Sequence, residues 1–496
     1  MTNRLFTAVA AVAALASGAS VAQAQDFRQL AREDLQAIHD MLRDNHPAAV
    51  VPGAASAGYN ANLEAGLADA LSKAGQVNSA HSHTYLLRYY ATGFRDPGIR
   101  IPETYDGVVT PYFATGWPGF TTGWRNGQYV VTYVKPGTRG APAVGSVVTE
   151  CNATPIADFA TRRLDRWEGD LTTEAGRIRS APYLLWNRNN PFSGGVPQTC
   201  KFQSGRGRPR DINLQTQIGT PADYEAAYRA TVYMPSATPL AIESVNGRPW
   251  IHAHTLAEEA GWEAFNAALL AQIDAVRGPQ GFVLDLRGAD GSSLNATARG
   301  YALANRIWTP EFTISRQPPG GLVTYRASQG NRDWYARAIA RMQNDGRFAI
   351  EAPHVIEETI AILAEMDKAL AAGQTSFTLP SREPAADTGA ANPVQGKVIV
   401  LVDSGCDGGC LDVLDLLTRL PNVQIAGSVT GVDSIFIEPT VARLPSNYAD
   451  IQYGHKAFTG RERGVQPYTP AGPLAYTGDP TDETAVRAWV AGLFGG

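Results

Sequence analysis

Hydrophobic and polar positions change their rhythm twice along this chain. Between residues 26 and about 95 the apolar positions recur three and four apart. Leu35, Ile38, Met41 and Leu42 form one stripe, ended by Asn45-His46-Pro47. Leu63, Leu67, Ala70 and Leu71 form another. Tyr85 to Tyr90 starts a third, ended by Gly93-Phe94-Arg95-Asp96-Pro97-Gly98. That spacing predicts helices with one buried face. From about 99 to 235, short β-favouring runs such as Tyr129 to Val134 alternate with Gly/Pro turns, which predicts a β-rich region. From 238 onward strand-like and helix-like runs alternate, the pattern of an α/β layered core. Ile242 to Val245, Trp250 to His254 and Gly281 to Leu286 read as strands, and Glu263 to Val276 as a helix.

The sharpest pattern is VIVLVDSGCDGGCLDVLDLL at 398–417. An apolar, mostly β-branched run of strand length meets a glycine-rich turn, and then Leu411, Leu414 and Leu417 fall at helical spacing. A buried strand feeding a tight turn and a helix is where hydrolases mount a nucleophile, because the helix N-terminus offers free N–H groups to an oxyanion. Residues 309–395 read as an insertion with helices at 333–344 and 356–370, closed by a Pro/Ala/Gly-rich linker at 380–394. The domain reading is therefore a leader at 1–24, an N-terminal helical region at 25–100, a β-rich region at 101–237 and an α/β core at 238–496 carrying the helical insertion 309–395. Within the β-rich region, VGSVVTECNATPIADFATRRL at 144–164 resembles the end of a PDZ domain, a module that binds peptide ends by strand addition.

Composition narrows the function. A net charge of −5 gives no basic face for nucleic acid. Arg4, the apolar run Leu5 to Leu15 and Ala22-Gln23-Ala24 read as a cleaved export signal, too short to span a membrane. No other segment approaches ~20 uninterrupted apolar residues, so no membrane span is expected after cleavage. Secretion, to the periplasm in this reading, agrees with an even count of four cysteines. Three pairings are possible; Cys151–Cys200 with Cys406–Cys410 is favoured because the second pair flanks one tight turn. C-x₃-C without a nearby His or second Cys pair is weak for zinc, and the histidines at 81/83 and 252/254 read as partly exposed or hydrogen-bonded groups, so no metal or cofactor is expected.

Two further motifs complete a constellation. Asp285-Leu286-Arg287-Gly288 leads into a Gly/Ser-rich turn through Gly291, and Gly427-Ser428-Val429-Thr430-Gly431 follows the 398–412 segment. Taken alone, Asp285 and Arg287 read as an ion pair fixing the turn. Together these elements resemble the C-terminal-processing, or tail-specific, serine peptidases over roughly 240–496, with weaker echoes at 34–101 and 144–164. The resemblance implies a peptidase-like α/β core. It implies an oxyanion hole from backbone N–H groups of the 288–292 turn (Gly288, Gly291) and of Gly409. It puts Gly408 where the family has its serine, Gly98 where one branch has its histidine, and Asp433 where the other has its lysine. Glycine cannot form an acyl-enzyme. The expected function is thus an exported homologue that binds peptides or unfolded protein C-termini with little turnover. The alternatives are an active peptidase with Ser404 as a relocated nucleophile, and an envelope scaffold using the PDZ-like region and the 309–395 insertion.

Overall fold

The computed structural model describes residues 26–102, 115–236, 238–256, 261–289, 291, 293, 295–346, 350 and 353–495. The expected leader, and Ser292 of the glycine/serine turn, lie outside these. The chain is a mixture of helices and several sheets, as its changes of rhythm predict.

The three N-terminal stripes are helices Phe27–Asn45, Ala54–Lys73 and Ala80–Thr92. Leu35, Ile38 and Leu42 are fully buried, and they pack with Leu86 and Tyr90 in one cluster. His81 and His83 lie on the third helix, where residues two apart do not share a face. His83 bonds Asp34 (2.9 Å) and is buried, whereas His81 is partly exposed.

The β-rich region is one sheet of β1 (Phe120–Arg125), β2 (Gln128–Val134), β3 (Val147–Cys151), β4 (Thr154–Pro155), β5 (Thr199–Gln203) and β6 (Arg210–Asn213), all antiparallel. Cys151 and Cys200 are register partners on β3 and β5 and are disulfide-bonded. Helix Ile156–Leu164 follows β4, so the strand, turn and helix expected at 144–164 are present in that order.

The core sheet uses β7 (Leu240–Val245), β8 (Arg248–Ala253) and β9 (Phe282–Asp285). The next two strands, β10 (Leu322–Arg326) and β11 (Ser376–Pro380), belong to a different sheet. β12 (Val398–Val402) and β13 (Val423–Gly427) complete the core in the order β13-β12-β9-β8-β7. β12 runs parallel to both neighbours and all five of its residues are buried, which is why its sequence is a continuous apolar run. Val398, Val400 and Val402 face helices Ala296–Trp308 and Gly409–Leu417. Ile399 and Leu401 face Val486 and Val490 of helix Glu483–Phe494. The helix expected at 263–276 is two pieces, Trp262–Ala271 and Ile273–Arg277, broken at Gln272.

β14 (Phe436–Arg443) and β15 (Asp450–Thr459) form a long hairpin. The stretch 309–395, read as helical, carries helices Gln329–Asn344 and Pro353–Ala371 and also β10 and β11. β10 pairs with β15, giving a sheet of order β11-β10-β15-β14. This stretch is therefore built into a sheet and is not a helical appendage. The hairpin's Phe436, Ile451 and Tyr453 pack on the N-terminal helices, and Asp34 accepts the Ser446 N–H at 2.9 Å. These contacts bring residues 94–101 against the C-terminal half. Among the described residues no helix is long and apolar enough to cross a membrane.

Candidate active site

At the end of β12 the chain turns through residues 403–408 and enters helix Gly409–Leu417. A disulfide joins Cys406 to Cys410, as expected, and clamps the turn to the first turn of the helix. Gly408 sits at φ 51°, ψ −124°. An L side chain in that region is strained, and glycine is not. The sharp strand-to-helix turn is thus made with the residue type that makes it most easily.

The neighbouring turn after β9 is held by a buried fork. Arg287 donates to both oxygens of Asp285, from Nε to Oδ1 (2.9 Å) and from Nη2 to Oδ2 (2.6 Å), and reaches Glu483 at 2.8 Å. The ion pair read from the sequence is present. Burial works against the Asp285 charge, but the Arg287 guanidinium holds its carboxyl well below the usual range. Asp403 links the two turns by accepting the Gly288 N–H (2.8 Å) and the Gly405 N–H (2.9 Å). Its carboxyl is pushed up by burial, and those two bonds oppose the shift.

Gly291 lies directly against the helix entrance. A methyl group there would sit 2.0 Å from the Asp407 carbonyl oxygen and 2.5 Å from the Cys410 nitrogen. The Gly409 N–H donates to the Gly291 carbonyl at 2.9 Å. That bond satisfies one of the orphan donors of the helix N-terminus. The amides of Gly288 and Gly409, expected to face an oxyanion, are therefore both bonded within the protein. An oxyanion would reach them only by displacing the Asp403 carboxylate and the Gly291 carbonyl.

Positions 98, 408 and 433 are distant in sequence, yet all three line one cavity of about 270 Å³, together with Gly291 and Gly409. Gly98 and Gly408 contribute no functional group to it. Asp433 is fixed by Arg463 (2.8 Å) and Arg461 (3.2 Å) and accepts the Ser434 N–H (2.7 Å). Arg461 also pairs with Asp412 (2.9 Å), whose carboxyl is raised by burial despite that partner. Ser404 is buried beside the Asp403 turn; among the described residues the cavity-lining serines are Ser293 and Ser434. From the β-rich region Arg179 reaches Asp407, next to Gly408, at 3.1 Å. A second cavity of about 620 Å³ shares Pro97, Arg100 and Val432 with the first and extends between the N-terminal helices and the β-rich region.

Sequence reasoning passed over the groups behind Gly98. Asp96 accepts the Gly98 N–H (2.8 Å), and its carboxyl is raised to about 6 by burial, opposed by the neighbouring Ser434 hydroxyl. His46 Nε2 lies 3.9 Å from Asp96 Oδ2. The imidazole is fully buried, stacked on Tyr59 and edged by Phe436, and burial lowers its pKa to about 3. The available signal was Asp96 itself, two residues before Gly98. Ser434 carried none, because only the folding of β14 onto the N-terminal helices brings it there.

No family model and no curated protein matches the sequence. Solved structures do match. A serine-to-alanine mutant of CPAF aligns with 13% identity over 95% of this chain and 96% of that one, at a TM-score of 0.60. Mature CPAF aligns with 13% identity over 95% and 96%, at 0.57. Mature CPAF complexed with lactacystin aligns with 12% identity over 95% and 97%, at 0.56. At this identity the likeness is one of fold: the chain has the CPAF fold along nearly its whole length, the fold expected from its motifs.

Proposed function

We propose that this chain is an exported homologue of the tail-specific serine peptidases that holds peptide segments or unfolded C-termini in its cleft and turns them over little or not at all. One observation carries the reading. The cavity where positions 98, 408 and 433 meet holds two glycines and a doubly ion-paired carboxylate at the points where the family resemblance calls for nucleophile and base. Acyl transfer needs an activated nucleophile with a base in hydrogen-bond reach, and losing one member of such a set already costs orders of magnitude in rate. The bonded state of the Gly288 and Gly409 amides supports the same conclusion. Peptide binding is supported by the adjoining cavity at the β-rich region. It is supported also by a cavity of about 400 Å³ between Val147–Thr149 and helix residues Ile156–Thr161. The two disulfides support an oxidising compartment, the periplasm in this reading.

A second reading has one specific observation in its favour. Ser434 lines the cavity beside Asp96, a carboxyl raised to about 6 and so placed in the range of a general base. Incubation with a serine-directed fluorophosphonate followed by peptide mapping separates the two. The first reading expects an unmodified protein. Modification at Ser434 would favour the second, and modification at Ser404 or another serine would overturn the first.

A further inference from the structure

At the C-terminal end of the core sheet, outside the cavity at Gly408, three ligand-type side chains converge. His252 on β8 is the register partner of Asp285 on β9, so their side chains leave the same face of the sheet. His254, two residues on, returns to that face. His252 Nδ1 and His254 Nε2 are 3.2 Å apart. Asp285 Oδ2 is 3.6 Å from the first and 3.4 Å from the second. These are the edges of a small, nearly equilateral triangle. Ligand atoms about 2.0–2.1 Å from a tetrahedral zinc ion stand about 3.3–3.4 Å from one another. The three atoms are therefore already spaced as three corners of such a site.

We propose that His252, His254 and Asp285 bind one divalent ion of the zinc type, leaving the fourth position to water or to the Tyr233 hydroxyl. The surrounding groups support it. The Glu243 carboxylate lies 2.8 Å from His252 Nε2. With the imidazole proton on Nε2 toward Glu243, the Nδ1 lone pair would turn inward, the carboxylate–histidine arrangement that orients metal ligands. The Tyr233 hydroxyl lies 3.3 Å from His254 Nε2. One lone-pair direction of the Asp285 oxygen is taken by the Arg287 guanidinium at 2.6 Å and the other by the longer Trp250 indole contact at 3.3 Å, which the ion would displace.

Asp285 and His254 are buried, whereas the His252 side chain is 12% exposed and Glu243 is more open, so an ion has a path of entry from the Glu243 side. The sequence reading gave these histidines no metal role, because i, i+2 spacing on β8 does not reveal that Asp285 of β9 closes the set.

The test is made on the full chain, stripped with chelator and titrated with Zn(II) by calorimetry and with Co(II) by visible absorption. The expected result is one equivalent bound, with Co(II) bands of four- or five-coordinate intensity. Binding should weaken at least ~10-fold in Glu243→Gln and further in His252→Ala, both at partly exposed positions, while His81→Ala binds as wild type. Absence of a stoichiometric ion overturns the proposal, and so does a His252→Ala protein that binds as tightly as wild type. The cluster would then be a hydrogen-bonded network only.

Discussion

Gly291→Ala tests how tightly the two turns of the site are locked. The new methyl carbon would stand 2.0 Å from the Asp407 oxygen, 2.5 Å from the Cys410 nitrogen and 2.6 Å from the Gly409 nitrogen. All three are backbone atoms, and the disulfide at Cys410 stiffens the segment that would have to yield. Relief requires the turns to part by about 1 Å, an overpacking strain of about 1–3 kcal/mol. The hydrogen bond from Gly409 to the Gly291 carbonyl is lost as well, at about 1 kcal/mol. Together these predict a destabilisation of about 2–4 kcal/mol. Gly98→Ala is the control. Its methyl would meet the Asp96 carboxyl oxygen at 3.1 Å, the Phe436 carbonyl at 3.4 Å and the Ser434 hydroxyl at 3.7 Å, with no backbone atom closer than 3.4 Å. It should cost less than about 1 kcal/mol. Urea denaturation followed by tryptophan fluorescence measures both. A Gly291→Ala protein as stable as wild type, or a Gly98→Ala protein more damaged than it, refutes the turn-to-turn packing described above.

Gly408→Ser restores a hydroxyl at the tip of the turn but places it at φ 51°, so it should lose about 1–3 kcal/mol of stability and stay unreactive to fluorophosphonate for want of a base; efficient labelling would contradict this. Asp96 and His46 should bend the pH–stability curve in opposite senses. The Asp96 carboxyl, raised from 3.8 to about 6, binds more protons folded than unfolded, so its contribution falls as pH rises from about 4 to 6. His46, lowered from 6.5 to about 3, binds fewer protons folded, so its contribution falls as pH drops from about 6.5 toward 3. Asp96→Asn should therefore gain up to about 3 kcal/mol above pH 6 and expose the His46 slope below it; an unchanged curve refutes the assignment. Replacing Cys151 and Cys200 by alanine opens a loop of sequence separation 49 and should cost about 4 kcal/mol, against about 2 for the short Cys406–Cys410 loop. The second loss should weaken peptide binding, because it frees the turn that bears Gly408.

Where burial follows from local pattern, the fold was legible. β12 is apolar at every position because helices cover both faces of its sheet, and the N-terminal stripes are helices because their buried face recurs at helical spacing. β10 and β11 were missed because Leu322–Arg326 and Ser376–Pro380 are short and half-exposed, and their partners lie far along the chain. The meeting of positions 98, 408 and 433 was legible only through the family resemblance, since no local spacing links them. The bonded state of the Gly409 amide was not legible, because it depends on the approach of Gly291 across two turns. For the same reason Asp96, His46 and Ser434 form a group only after β14 has packed on the N-terminal helices.

The central claim is binding without turnover. Its most direct test incubates the purified protein with fluorescent unstructured peptides and follows polarisation and intact peptide mass in the same samples. The account predicts saturable binding, weakened by Gly291→Ala, with every peptide recovered at its starting mass after many hours. Steady appearance of cleaved fragments, abolished by a single serine-to-alanine substitution in this chain, would contradict it.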